Sequence, residues 1–308
     1  MLRNTDVAAV EGAAAALAAG RLVILPTETV YGLAADAANP AAVARLYVAK
    51  GRPRFNPLIA HVANLEAAGA VAALDERALA LARAFWPGPL TLVAPSLGGV
   101  CDLARAGLDT VAVRAPAHPL AQAVLKAFGE PVAAPSANRS GRPSPTTLAD
   151  AAAETGEFAA VTLDGGPCAV GLESTVVSLL EGPPRLLRPG AVTRAQIEAL
   201  IGPLAEAQAD ARRSPGRLTR HYAPAAPLRL EAVEARCGEA FIGFGEVGPG
   251  EFNLSPAGDL AEAAARLFVC LRAADAAKPF AIAVAPIPEE GLGEAINDRL
   301  RRAAGLVG

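Results

Sequence analysis

Lysine is almost missing from this chain: Lys50, Lys126 and Lys278 are the only three among 308 residues, and arginine carries nearly all of the positive charge. That bias, with the excess of alanine, fits a GC-rich coding sequence more than a function, but it makes any lysine inside a motif conspicuous. Aromatic residues amount to 4%, so the core has to be built from Ala, Val and Leu, and there is no row of platforms for stacking many bases. The net charge of −3 excludes a uniformly basic surface of the kind that binds nucleic acid non-specifically, and leaves only a local basic groove for weak contact with tRNA or other RNA. The four cysteines (Cys101, Cys168, Cys237 and Cys270) form no C-x-x-C pair and have no histidine at zinc spacing; they are expected to be reduced, mostly buried residues of a cytoplasmic protein. No carboxylate cage for a metal stands out. Met1 to Gly20 has no apolar run behind a basic start, so a signal peptide is not expected, and every Ala-rich stretch is broken by charges, which leaves no membrane span.

Familiar catalytic patterns are missing as well. There is no G-x-x-x-x-G-K-[ST] phosphate loop, Ser174 has no G-x-S-x-G setting, and His61, His118 and His221 are isolated from one another. Gly243 to Gly248 fits the dinucleotide pattern G-x-G-x-x-G, but Pro249-Gly250 follows where a helix N-terminus has to hold the pyrophosphate, so the stretch is read as a loop.

What is present is a chain that is 52% hydrophobic, enough for a substantial core. Its first 202 residues alternate strand and helix signals and read as an α/β or α+β domain. Strands are expected at 22–25, 58–62, 90–93, 111–113 and 132–134, and at 175–180 and 185–187 across the Gly182-Pro183-Pro184 turn. Asn39-Pro40 reads as an N-cap with proline at the first helical position, opening a helix that stops near Gly51; Asp75 opens another that ends at Pro87-Gly88. Residues 203–227 are polar and rich in Arg and Pro, a linker composition. From 228 to 308 strand and helix signals alternate again, with helices expected at 260–273 and 292–303, and describe a smaller second α/β domain.

Five segments, each at a strand end where open α/β folds bind ligands, break the bland pattern. They are Pro26 to Leu33; Lys50 to Leu58, which leads into His61; Arg114, at the end of an otherwise apolar strand; Ala134 to Ser144; and Gly171 to Val177, with Leu187-Arg188-Pro189-Gly190 beside it. Taken singly they have ordinary readings. Lys50 and Arg52 suit a helix C-terminus, and Ser136 and Asn138 suit a turn. A buried Arg114 asks for an anionic partner. Taken together they are long in hydroxyl, amide and guanidinium donors and short in nucleophiles. That inventory suits phosphoryl or nucleotidyl transfer, in which positioning and charge stabilisation dominate.

The strings 26–33, 50–58, Trp86-Pro87-Gly88-Pro89-Leu90-Thr91, 134–144 and 171–177 resemble, in order, those of the YrdC-like L-threonylcarbamoyladenylate synthases. Ser214-Pro215-Gly216 followed by His221-Tyr222-Ala223-Pro224 is similar to the linker of the long two-domain members, and Phe252-Asn253-Leu254-Ser255 and Asn297-Asp298-Arg299 to their C-terminal domain; Arg217 departs from the hydrophobic residue expected there. The resemblance implies an α/β fold with a twisted mixed sheet around a concave basic cavity, plus a smaller Rossmann-like α/β domain. It implies that threonine is carboxylated by bicarbonate and that the carbamate attacks the α-phosphorus of ATP, releasing pyrophosphate. A separate transferase then passes the threonylcarbamoyl group to tRNA.

By the same resemblance Lys50, Arg52, Ser136 and Asn138 are the catalytic tetrad. Arg52, Asn56, Thr110, Ser136, Ser144, Arg188 and Tyr222 are the nucleotide contacts, and Thr29, His61, Arg114, Ala134 and Ser174 the threonine contacts. Arg114 is expected to clamp the threonine carboxylate. His61 is read either as a group that binds or deprotonates the amine or as a simple hydrogen-bond donor. Mg²⁺ is expected to travel on the triphosphate, with no dedicated metal ligands. The stretch around Tyr222 is expected to fold over the nucleotide as a lid, the alternative being a passive tether. Two rival functions are carbamoyl transfer, whose enzymes carry zinc-finger and acylphosphatase-like segments ahead of such a domain whereas here the first strand follows almost at once, and non-catalytic RNA binding.

Overall fold

The computed structural model describes residues 4–206, 221–248 and 252–306. A mixed ten-stranded sheet, in the order β10-β9-β8-β4-β5-β3-β6-β2-β1-β7, forms the larger part, and a parallel three-stranded sheet, β11-β13-β12, the smaller. The expected α/β class and mixed sheet are what is found. Seven helices accompany the large sheet: α1 (Asn4–Ala18), α2 (Pro40–Lys50), α3 (Leu65–Val71), α4 (Glu76–Phe85), α5 (Pro119–Phe128), α6 (Leu148–Thr155) and α7 (Arg194–Ile201). Its strands are β1 (Leu22–Leu25), β2 (Gly32–Asp36), β3 (Ile59–His61), β4 (Leu90–Pro95), β5 (Thr110–Arg114), β6 (Val132–Ala133), β7 (Ala159–Thr162), β8 (Thr175–Ser178), β9 (Arg185–Arg188) and β10 (Ala205–Glu206). The C-terminal part holds β11 (Leu228–Arg229), β12 (Glu239–Ile242), α8 (Leu260–Ala276), β13 (Ala281–Val284) and α9 (Leu292–Ala303).

Local chemistry explains the elements that the sequence announced. Asn39 caps α2 by accepting from the amides of Ala41 and Ala42, Pro40 follows it, and Gly51 closes the helix in the left-handed region at φ 57°. Asp75 caps α4 through the amide of Ala78. Three differences stand out. The first strand does not open the chain: α1 precedes it, and its Val10, Ala13, Ala16 and Leu17 pack with α5 on the sheet. The Pro26–Leu33 segment is not all loop, because β2 begins at Gly32 and pairs antiparallel with β1. Large-sheet structure also runs past residue 202, since β10 pairs with β9. Residues 207–220 of the expected linker, with Ser214-Pro215-Gly216 and Arg217, lie outside the described residues, as do Pro249 and Gly250. The Gly243 to Gly248 stretch is a turn with a Phe244–Val247 bridge, and the next helix to open is α8.

Strand alternation builds the floor of the site. Side chains two apart share a sheet face. On one face Leu90, Leu92 and Ala94 of β4, Ala60 of β3, and Val111 and Val113 of β5 join the main core. On the other, Ile59, Val93, Ala112, Val176 and Leu187 make a small apolar patch. The residues in phase with that patch are polar: His61 beyond Ile59, and Thr110 and Arg114 on either side of Ala112. Parallel register sets His61 beside Arg114 and Ile59 beside Ala112. A polar row on a strand face opposite the core is therefore how the fold collects distant loops into one place.

Candidate active site

A cleft with about 490 Å³ of empty space lies over this face. It is lined by Thr29, Arg52, His61, Arg114, Ala134, Ser136, Ser174, Arg188 and Tyr222, together with Val30, Pro57, Leu58, Ile59, Pro135, Glu173 and His221. Of the residues singled out from the sequence, Lys50, Asn56, Thr110, Asn138 and Ser144 are buried but do not line it. Among the described residues no group of three His, Cys, Asp or Glu side chains stands together to hold a metal.

Lys50 sits behind the site. Its ammonium donates to the main-chain oxygens of Ser136 and Asn138, tying the end of α2 to the loop that carries both. Burial, and then the neighbouring Arg52, push its pKa well below the ordinary lysine value. Its contacts thus place it as a brace of the loop and not as a cation in the cleft. Asn138 helps by donating from Nδ2 to the carbonyls of Arg139 and Arg142, both at 2.8 Å. Arg52 is held by the carbonyls of Asn56 and Pro57, at 3.2 and 3.0 Å. Burial, with Arg188 as a repelling neighbour, brings its pKa down to about 10. Arg188 donates to the carbonyl of Ser174 from Nε at 3.0 Å and from a terminal nitrogen at 2.8 Å, and its pKa is lowered by burial too. Among the described residues neither arginine has a carboxylate as a hydrogen-bond partner. Both shifts come first from loss of solvent around the guanidinium, a cost that an anionic ligand would offset.

Several buried polar atoms find no hydrogen-bond partner among the described residues: both side-chain amide atoms of Asn56, the hydroxyls of Thr110 and Tyr222, Oδ1 of Asn138 and Nδ1 of His221 are among them. Buried polar groups are otherwise nearly always paired, at a cost of about 1–3 kcal/mol when they are not. Asn56, Thr110 and Tyr222 are three of the expected nucleotide contacts, and their unmet capacity is what a ligand with many acceptors and donors needs.

The other end of the cleft is better satisfied. Arg114 donates to Glu28 Oε1 at 2.6 Å, Thr29 Oγ1 at 2.9 Å and the Gly88 carbonyl at 3.1 Å. Glu28 is therefore the anionic partner that a buried arginine requires. Burial pulls its carboxyl up, but the Arg114 guanidinium wins and holds it below the ordinary value. Three of the five N–H groups of Arg114 are thus used, and two are left for a carboxylate. The His61 ring places Nδ1 3.2 Å from the Ile59 carbonyl. Burial, and then Arg114, drive its pKa down to about 3. A neutral imidazole that weakly basic suits a hydrogen bond and not deprotonation of an amine, whose pKa is near 8 in a model α-amino group. Ser174 Oγ lies 2.8 Å from Thr91 Oγ1 and 3.1 Å from Arg188.

Arg139 and Arg142, the guanidinium donors of the 134–144 string, point away from the cleft lining. Arg139 pairs with Glu157 at the surface, and Arg142 meets Glu154 at 3.0 Å with its own side chain 56% exposed. They serve the packing of the loop on α6. Sequence reasoning missed Glu173, which lines the cleft, and Glu28, which pairs with Arg114 from behind its lining; both stand inside the quoted strings, and the demand of buried Arg114 for an anion was the signal for Glu28. Glu173 accepts from the Ser144 hydroxyl and from Arg299 Nε, the latter at 2.9 Å.

Comparison with known proteins completes the description. Residues 15–190 match the Sua5, YciO and YrdC family, described as telomere recombination, and residues 192–305 match the family described as the C-terminal domain of threonylcarbamoyl-AMP synthase. A threonylcarbamoyl-AMP synthase of Pyrococcus abyssi is 41% identical over 93% of this chain and 91% of its own length. One of Bacillus subtilis is 41% identical over 95% of this chain and 92% of its own. The crystal structure of Pyrococcus abyssi Sua5 complexed with L-threonine superposes with a TM-score of 0.88 at 39% identity, covering 96% of this chain and 94% of that one.

Proposed function

From the premise that this chain belongs to the Sua5, YciO and YrdC family in its two-domain Sua5 form, we propose that it is a threonylcarbamoyl-AMP synthase acting as a nucleotidyltransferase on ATP, L-threonine and bicarbonate. The observation that carries the reading is that one cleft joins two chemically different ends. Part-buried Arg52 and buried Arg188 line it with hydrogen bonds to main-chain oxygens and to the Ser174 hydroxyl, and Tyr222 lines it too, its hydroxyl without a partner among the described residues. Thr29, His61, Arg114, Ala134 and Ser174 line the same cleft, with Thr29 and His61 directly beside Arg114 and Ser174 beside Arg188.

The geometry supports the following assignment of roles. At the Arg114 end the remaining N–H groups of this residue donate to the threonine carboxylate, while Glu28 keeps the guanidinium oriented. The neutral His61 ring and the Ser174 hydroxyl contact the amine or the side-chain hydroxyl. Bicarbonate and the amine condense to a carbamate with loss of water. A carbamate oxygen then forms a bond to the α-phosphorus, and the bond to the β-phosphate bridge breaks, so that pyrophosphate leaves with the electron pair. Arg52 and Arg188 stabilise the charge that builds on the phosphoryl oxygens, at positions set before the reaction begins. Lys50 contributes by fixing the Ser136–Asn138 loop. Glu28 and Glu173 are both already engaged by arginine, so magnesium enters on this reading with the triphosphate and takes no ligand from these two.

Pyrophosphate release measured with all three substrates, and with each omitted in turn, tests the assignment. Release that requires threonine and bicarbonate together is the expected result. Release that ignores either substrate would refute it.

A further inference from the structure

Tyr222 is held in a manner its own segment does not explain. It is a non-glycine residue in the left-handed region, at φ 63°, with a fully buried ring and an unpaired hydroxyl among the cleft residues. Such a conformation is costly and persists only where the surroundings over-determine it. The surroundings here come from the C-terminal part. Phe268 of α8 packs 5.5 Å from the ring, centroid to centroid, and the guanidinium of Arg299 on α9 lies 5.3 Å from the ring centre. Arg299 is wholly buried and spends its donors on three different elements: Nε on Glu173 at 2.9 Å, one terminal nitrogen on Asp298 at 2.7 Å and the other on the Pro189 carbonyl at 3.0 Å. Glu173 in turn accepts from Ser144. One side chain of the last helix thus touches the ring of Tyr222, the carboxylate that fixes Ser144 and the turn that follows Arg188.

We propose that Arg299 is a positioning residue of the catalytic cleft, setting Tyr222, Glu173 and the Pro189 turn for the nucleotide, so that the C-terminal part is a built component of the ATP end of the site. The inference rests on the ATP-dependent reading above and adds to it a role for the second domain. A planar fork can serve three directions at once and still present its face to a ring, whereas an ammonium cannot. Arg299→Lys therefore keeps the charge and loses the geometry.

The test is steady-state pyrophosphate release by the full chain, wild type against Arg299→Lys, with ATP and threonine varied separately and thermal stability recorded alongside. The expected result is an ATP KM raised at least about tenfold with the threonine KM within about twofold, because Arg114 and His61 lie outside the network. The control is Glu294→Gln, which removes another contact between the two parts, the Arg194–Glu294 pair at 2.9 Å, away from the cleft; its ATP KM should stay within about twofold of wild type. A parallel rise of both KM values in Arg299→Lys, or an equal ATP effect in Glu294→Gln, would reduce Arg299 to general docking and overturn the proposal. If Arg299→Lys does not fold, Glu173→Gln keeps the shape and removes the charge that orients the guanidinium. The same ATP-selective rise then supports the proposal, and an unchanged ATP KM overturns it. A wild-type chain that releases no pyrophosphate from ATP, threonine and bicarbonate instead refutes the parent reading, so the two failures are told apart.

Discussion

His61 shows how a strand address changes the chemistry of a residue. Three positions along β3 it shares a sheet face with Ile59, it is buried beside Arg114, and its pKa falls to about 3. In the unfolded chain a histidine titrates near 6.5. Between those values the unfolded state binds the extra proton, so native stability rises with pH through this window and is lost as pH falls from about 6.5 toward 3. Each such group contributes at most about 1.4 kcal/mol per pH unit. Urea melts between pH 7 and pH 4 should therefore show a smaller acid loss for His61→Gln than for the wild type, with the remaining slope owed partly to His221, whose pKa is also pushed far down by burial and then by Arg52 and Lys50. A variant with the wild-type slope would show that His61 titrates normally in the native state. Sequence could place His61 in the site but not choose between its roles, because burial decides the choice. The same holds for Lys50: its motif was legible, whereas its aim at two carbonyls and not at the cleft depends on where the Ser136–Asn138 loop crosses the end of α2.

At the scale of elements, those with a local signature were legible and those held by tertiary contact were not. The capped helix α2, the Asp75 cap of α4, the short apolar run of β1 and the bounds of α9 all stand close to where capping and periodicity place them. Helix α1 carries little contrast between its faces, and β2 begins inside a motif that reads as a loop; both have neighbours far along the chain, α5 for the helix and β6 for the strand, which β1 flanks on its other side. The Phe252-Asn253-Leu254-Ser255 string turns out to be architectural: Asn253 bonds the Gly245 carbonyl and the Ser255 amide, and Ser255 bonds Glu262 in the first turn of α8. Gly171 has no helix or strand of its own and yet sets where α8 lies. At φ 72°, a Cβ there would fall 2.4 Å from the Cα of Ala265 and 2.6 Å from the oxygen of Ala264. Gly171→Ala combines left-handed strain of about 1–2 kcal/mol with a backbone clash that only a shift of α8 relieves. We expect a loss of at least about 2 kcal/mol in chemical denaturation and weaker ATP binding, since Phe268 moves with α8 and Tyr222 leans on Phe268. Unchanged stability would mean that α8 does not press on this loop.

For the whole molecule the question is whether two sheets make two folding units. The sequence puts a polar stretch between them, which by itself suggests a tether between independent bodies. The packing argues otherwise. Val30 and Leu172, from loops of the large-sheet part, and Tyr222 belong to the same buried cluster as Leu267, Phe268, Ile282 and Ile296 of the C-terminal part. The cluster is crossed by the Arg299–Glu173 pair, and Arg272 of α8 reaches Glu154 of α6 at 3.0 Å. Separating the parts exposes that shared core to water and breaks the Arg299–Glu173 pair, and the apolar burial is what opposes it. Calorimetry of the full chain should therefore give one cooperative transition and not two. ATP binding joins the argument, because its end of the cleft contains side chains fixed from both parts. Ligand at a hundred times its Kd adds about 2.7 kcal/mol to the state that binds it, and here that state requires the docked arrangement. The whole transition should move upward together when ATP is added. Two resolved transitions, of which only one responds to ATP, would show that the C-terminal part is a passenger and that Arg299 holds nothing the nucleotide needs.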